Sequence, residues 1–173
     1  MSLTSNLEIK KITKESIQTA LILLLKEKKW EAITINNIVE KAGVSRMAYY
    51  RNYKSKEDIL MDIFDDFMTK LTEICLPYIQ TKQWYGYWKV LFNHFAEHVE
   101  SVRLLFDCNY KIFILNYLNN FYINSIKTSS VSDRYRIYGL VGSFFNMLVE
   151  WIENDMPISS EELAQICFGL INV

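Results

Sequence analysis

The chain has 173 residues with 19 basic and 20 acidic side chains, a formal net charge of −1, and only five glycines and two prolines. That length allows one large domain or two small ones with a real core, and its three cysteines, Cys75, Cys108 and Cys167, lack metal-ligand spacing, which argues against disulfide stapling and for buried thiols in a reducing cytosol. The near-zero total conceals a split: residues 1–57 hold eleven Lys and Arg against six Asp and Glu, residues 58–173 hold eight against fourteen, and attraction for phosphates belongs to one end only.

In chain order, the segment MSLTSNLEIK has no apolar signal-peptide core. The longest apolar run, Ala20 to Leu25, is too short to span a bilayer. A cytoplasmic protein is expected. Ile9, Ile12, Ile17, Ala20, Leu21, Leu24 and Leu25 make a helical stripe over Ile9–Lys29, closed by the cations Lys26, Lys28 and Lys29. Trp30 and Ile33 pack the link to the next helix. Thr34 caps that helix, whose inward Ile38 and Val39 lead to Ala42, and Gly43 supplies the positive φ of a tight exit. Val44 plugs the turn, and Ser45 caps a helix that begins Arg46-Met47-Ala48-Tyr49-Tyr50. Two helices joined by a short glycine turn make a helix-turn-helix, whose second helix enters the DNA major groove.

Ser55 and Asp58 form a capping-box pattern that opens a helix to about Leu76, where Pro77 ends or kinks it. Further helices are expected at 83–100, 102–107, 110–127, 132–154 and 160–171. Loops fall around Lys82, Cys108-Asn109, Ser129-Ser130 and Asp155-Met156-Pro157. No alternating strand pattern persists. The expected fold is all-α with about nine helices: a three-helix helix-turn-helix unit over 1–57 and a helical bundle for effector binding and dimerisation over 58–173.

The run Thr34–Lys56 resembles the DNA-binding signature of the tetracycline-repressor (TetR) family of bacterial regulators. The residues that carry the resemblance are Thr34, Ile38, Ala42-Gly43-Val44-Ser45, Tyr49-Tyr50-Arg51-Asn52-Tyr53, Lys54-Ser55-Lys56-Glu57 and Ile59-Leu60. The family's usual His-Phe is replaced by Asn52-Tyr53, which puts an amide where a histidine contacts phosphate. Arg46 and Met47 lie on the first turn of the recognition helix, where an arginine can bond guanine O6 and N7. The resemblance implies phosphate contacts at Thr34, Asn36, Tyr50, Lys54 and Lys56, and Ser45 and Arg51 complete the expected DNA-binding set. Tyr49 and Tyr53 read as core residues of the small unit.

In the body, 18 of the chain's 25 aromatic residues fall between Tyr78 and Trp151. Most must be core. The resemblance implies an effector pocket here, and the candidate lining is Trp84, Trp88, Phe92, Phe95, Tyr110, Phe113 and Tyr117. Few cations are available to satisfy an ionic ligand, so a mostly apolar effector is expected. On the helix 132–154, Ile137, Val141, Phe144 and Leu148 form one apolar stripe and Tyr138, Gly142, Phe145 and Val149 a second. With Ile166 and Leu170 of the last helix, the second stripe is the expected two-fold dimer interface. His94 and His98 stand four apart with Glu97 and Glu100 nearby, but no HExxH pattern or third ligand is evident, and no metal or other cofactor is expected. Asp62, Asp65 and Asp66 read as a solvated helix face. No catalytic triad or phosphate loop accompanies these residues, and an enzyme is not expected. The reading is a homodimeric transcriptional repressor released from a near-palindromic operator by a small effector. Its rivals are a coregulator that senses a partner protein through the C-terminal domain and, more remotely, a helical enzyme or carrier.

Overall fold

The computed structural model describes residues 3–108, 110–126 and 130–171, and these residues form helices, turns and loops with no strand. The helices are α1 (Leu3–Glu27), α2 (Ile35–Ala42), α3 (Arg46–Tyr50), α4 (Lys56–Gln80), α5 (Trp84–Glu97), α6 (Val99–Asp107), α7 (Lys111–Ile126), α8 (Val131–Glu153) and α9 (Ser160–Ile171), with a 3-10 turn at Trp30–Ala32. All nine expected helices are present. Asn109, Ser129 and Lys127, at the edges of the expected loops and of the seventh helix, lie outside the described residues, as does the Ile171 side chain.

The chain divides into two compact units, 1–72 and 73–173, so the boundary falls inside α4 rather than at its start. In the first unit, Ile17, Ala20, Leu21 and Leu24 of α1 are buried together with Ile33, Ile38, Tyr49, Tyr53, Ile59, Leu60, Phe64 and Met68. The first half of α4 therefore belongs to this core. The expected stripe of α1 holds from Ile17 onward, whereas Ile9 and Ile12 are exposed.

Polar groups tie the same helices. Asp62 accepts from Lys14 Nζ at 2.8 Å, Gln18 Nε2 at 2.9 Å and the Tyr53 hydroxyl at 2.5 Å. It is a half-buried anchor of the unit rather than a purely solvated acid. Burial and the Asp62 hydrogen bond together push the Tyr53 phenol far above its usual range.

In the second unit, α5 and α9 pack along their length and α7 packs on α8. The core is aromatic: Trp88 stacks on Phe92 at 6.1 Å between centroids, and both rings meet Phe144 at 5.7 and 5.6 Å. Phe95 and Trp151 join the same cluster. Pro77 does not end α4, which continues to Gln80; its missing N–H forfeits one bond to the preceding turn, and the helix stops where Lys82 takes a φ of 56°. Gly86 lets α5 lie against Tyr78, since a Cβ there would come within 2.5 Å of the Tyr78 ring.

Candidate nucleic-acid interface

The recognition elements are set by local capping. Thr34 Oγ1 accepts from the Asn37 amide at 3.2 Å while Asn37 Oδ1 accepts from the Thr34 amide at 3.1 Å, which closes a capping box on α2. Gly43 takes φ 66° and ends the helix, where a side chain would be strained. Ser45 Oγ accepts from the Ala48 amide at 3.1 Å and opens α3. Ser55 and Asp58 repeat the device on α4: the Ser55 hydroxyl accepts from the Asp58 amide, and the Asp58 carboxylate accepts from the Lys54 and Ser55 amides. Those backbone donors hold the Asp58 carboxyl below its usual range.

This scaffold sorts the expected DNA-binding residues. Tyr49 is fully buried and Tyr53 nearly so, as expected of core residues. Elsewhere on α3, Arg46, Met47 and Tyr50 are exposed, with Met47 at 65% and Tyr50 at 57% of full exposure. Arg51 folds back along α3 so that its Nη2 lies 3.3 Å from the Met47 sulfur. Thr34, Asn36, Ser45 and Lys54 are exposed as well. A capping hydroxyl uses a lone pair for the cap and keeps its proton for another acceptor, so Thr34 and Ser45 retain a donor for phosphate.

Two positions depart from expectation. Lys56 does not extend into solvent: its ammonium donates to the carbonyls of Trp30 at 2.7 Å and Ile33 at 2.9 Å and sits 4.2 Å from the Trp30 ring centroid. Asn52 occupies the position of the family's histidine, but its Nδ2 donates to the Ala48 carbonyl at 2.8 Å, an internal bond that competes with a phosphate contact.

In the body, the residues of the expected effector lining differ in burial. Trp88, Phe92 and Phe95 are buried core rings, whereas Trp84 and Phe113 are 44% and 40% exposed. Trp88 and Phe92 pack on each other, and Phe95 joins them through Phe144. The polar tips that do meet inside the body were not legible in the pattern: the Tyr87 and Tyr122 hydroxyls share a short hydrogen bond between α5 and α7. Burial pushes both phenols above their ordinary range, and the Cys75 thiol adds to both shifts. One turn before Tyr122, the Asn119 side-chain oxygen is buried with no hydrogen-bond partner. A separate open groove of about 390 Å³ runs along α8 and the start of α9, lined by Asn146, Met147, Trp151, Ile158, Leu163 and Ile166 among others.

The expected dimer stripe is also redistributed. Phe145 is buried and meets Phe106 edge-on at 6.4 Å within the same chain, so it does not face outward. Tyr135, Tyr138, Leu140, Ile166 and Leu170 are exposed. Gly139, Gly142 and Gly169 have open space where a side chain would stand. Val149 is half-buried.

The second half of the sequence, residues 82–173, matches the family pattern described as "Transcriptional regulator C-terminal region". Residues 19–63 match the pattern of "Bacterial regulatory proteins, tetR family". A comparison with curated proteins gave no match. Among solved structures, a TetR transcriptional regulator from Streptococcus agalactiae 2603V is similar at a TM-score of 0.73 and 19% identity, covering 98% of this chain and 99% of that one. A TetR-family transcriptional regulator from Syntrophomonas wolfei str. Goettingen follows at 0.68 and 16%, covering 92% and 93%. The dihydroxyacetone kinase operon activator DhaS is similar at 0.60 and 18%, covering 91% and 93%. Among the described residues no helix is long and apolar enough to cross a membrane. With one pattern over more than half of the chain and the other over its helix-turn-helix, the chain belongs to the TetR family of DNA-binding transcriptional regulators, which are not enzymes.

Proposed function

We propose that the protein is a homodimeric repressor that reads a near-palindromic operator with two copies of α3 and is released by a small effector bound in the second unit. The observation that carries the reading is the capped α2–turn–α3 element, which buries Tyr49 and leaves Arg46, Met47 and Tyr50 exposed on the recognition helix. In this reading Arg46 and Met47 address base edges. Thr34, Asn36, Ser45, Tyr50, Arg51 and Lys54 hold phosphates, and Lys56 supports them by bracing the Trp30–Ile33 turn.

Dimerisation through α8 and α9 is supported by the exposed Tyr138, Ile166 and Leu170 beside Gly142 and Gly169, since small residues let helix backbones approach. The effector reading rests on the Tyr87–Tyr122 pair and the buried Asn119 oxygen, polar groups in an apolar interior of the kind that orient a small ligand. A ligand with an apolar body and one hydroxyl or amine donor fits that set. Effector binding that favours one tilt of α4 would spoil the match of the two recognition helices to successive major grooves.

A second reading has support of its own. Ile112 is 74% exposed beside the exposed Phe113 on α7, an apolar surface that suits a partner protein rather than a small molecule. DhaS, which shares the fold, is described as an operon activator, so the fold alone does not dictate repression.

Gel-shift titration against a library of duplexes tests the reading. Binding on the order of 10⁻⁸ M or tighter to a near-palindrome at physiological salt is expected. Arg46→Ala should relax preference at one base pair per half-site, at a cost of about 1–3 kcal/mol there. Absence of duplex binding even at low salt overturns it.

A further inference from the structure

We propose that His94, Glu97 and His98 form a binding site for a divalent late-transition-metal ion, with zinc the ion whose ligand preferences fit it best. The sequence shows two histidines at helical spacing without a third ligand. The structure supplies the third, because one donor atom from each of His94, Glu97 and His98 lies within 4.8 Å of the others. The two imidazole rings are 4.3 Å apart between centroids and inclined by 43°, side by side on one face at the end of α5.

A second observation assigns the tautomer of His98. His98 Nδ1 lies 2.9 Å from the His94 carbonyl oxygen. A carbonyl only accepts, so Nδ1 carries the proton, and the lone pair of the neutral ring is on Nε2. A ligating histidine that donates its other ring N–H to a backbone carbonyl is the usual supporting arrangement for zinc. His98 is thus oriented for the ion by the helix that carries it.

The donor set selects the metal class. Two imidazoles and one carboxylate suit zinc, nickel or copper, whereas calcium and magnesium favour all-oxygen shells. The buried thiols Cys75, Cys108 and Cys167 are not members of the cluster. Tetrahedral zinc with bonds of about 2.1 Å needs donors about 3.4 Å apart, so the set must close by up to about 1.4 Å. Glu97 is exposed and can supply that movement by rotating its side chain, and it also marks the side from which an ion enters. His94 is buried and anchors the opposite side. Water completes the shell, as in zinc sites with three protein ligands. Because His98 ends α5 and caps α6, the ion would clamp the corner between the two helices.

The test uses the full chain, which has no histidine other than His94 and His98. Zinc is titrated against a competing chelator while the histidine ring resonances are followed by NMR, and cobalt serves as the optical probe. One ion per chain is expected, with both imidazoles shifting together and cobalt d–d bands free of thiolate charge transfer. His98→Gln and Glu97→Gln should each weaken zinc by roughly tenfold or more, with metal-free melting unchanged for the exposed Glu97→Gln. His94→Gln is not the main test, because a buried residue can alter folding. No uptake at micromolar zinc, a shift of only one histidine, a thiolate band, or undiminished affinity in both variants overturns the site.

Discussion

Replacing Lys56 by methionine separates a scaffold lysine from a phosphate contact. The change keeps the apolar stem and removes the ammonium that bonds the Trp30 and Ile33 carbonyls at 2.7 and 2.9 Å and faces the Trp30 ring at 4.2 Å. A hydrogen bond to a charged group is worth about 1.5–3 kcal/mol when shielded, and a cation over an aromatic ring adds about 0.5–1 kcal/mol. Lys56 is only half-buried, so water replaces part of both bonds and the estimate falls to about 2 kcal/mol in all. For a chain of this size that is a fall of about 4–8 °C in Tm if unfolding is a single transition. The paired assay is the salt dependence of operator binding. A lost phosphate contact lowers the slope of log affinity against log salt by about 0.9. A loosened Trp30–Thr34 corner instead weakens binding at every salt concentration and leaves the slope unchanged. An unaltered Tm together with a reduced slope refutes the scaffold role and returns Lys56 to the phosphate-contacting set.

Leu170→Arg should convert a dimer, twice the 20.5 kDa chain mass in light scattering, into a helical monomer; a dimer that survives it places the interface elsewhere. Phe145→Glu should unfold the second unit rather than release a folded monomer, since that ring is buried against Phe106. Stability should fall as pH rises above about 10, the ordinary tyrosine range. Tyr49 is pushed up to about 12, and Tyr53, Tyr87 and Tyr122 are raised too, so the folded state holds protons that the unfolded chain releases. Their contribution is complete below the unfolded value and is lost through the folded ones; denaturation midpoints that do not drop between neutral and strongly alkaline pH refute it. Burial raises the Cys75 and Cys167 thiols to about 11, and with Cys108 also buried the native protein should resist alkylation at neutral pH and take up three labels only when unfolded.

Local signals were legible and nonlocal ones were not. Thr34, Gly43, Ser45 and the Ser55–Asp58 pair act on backbone within a few residues, so their spacing already specifies α2, the turn, α3 and the start of α4. The same holds for the apolar face of α8, where Ile137, Val141, Phe144 and Leu148 are all buried as their period requires. What lies beyond a helix turn is decided by which helix arrives opposite. Phe145 shares a stripe with Tyr138, yet Phe106 covers it and Tyr138 remains exposed. Trp88, Phe92 and Phe95 offer the same composition to a cavity wall as to a packed cluster, and Phe144 decides for the cluster. Asp62 looks like its neighbours Asp65 and Asp66 until Lys14, Gln18 and Tyr53 close on it from more distant parts of the chain.

The packed rings also constrain how an effector could act. A ligand that separates α5 from α7 must displace the Tyr87–Tyr122 hydrogen bond between them. Separating the phenols strands two buried hydroxyls unless the ligand bonds both, a penalty of about 1–3 kcal/mol for each one left unmet. The Asn119 oxygen changes the balance, because it is buried without a partner before the ligand arrives and gains a bond from any donor placed there. A ligand that reached both Asn119 with a donor and the phenols with a polar atom would prefer the opened arrangement, and a purely apolar ligand of equal size would not. Reversing a regulator from 1:99 to 99:1 between two states takes about 5.5 kcal/mol of differential affinity. A few charge-free hydrogen bonds and the burial of a modest apolar body are of that order, so a ligand acting as effector would have to combine both. Asn119→Leu separates the contributions: it removes the waiting acceptor while keeping the volume, and it should stabilise the free protein while weakening the polar ligand more than an apolar analogue. If both ligands weaken equally, or neither does, the polar set does not select the effector and the exposed Ile112–Phe113 surface becomes the better place to seek the signal.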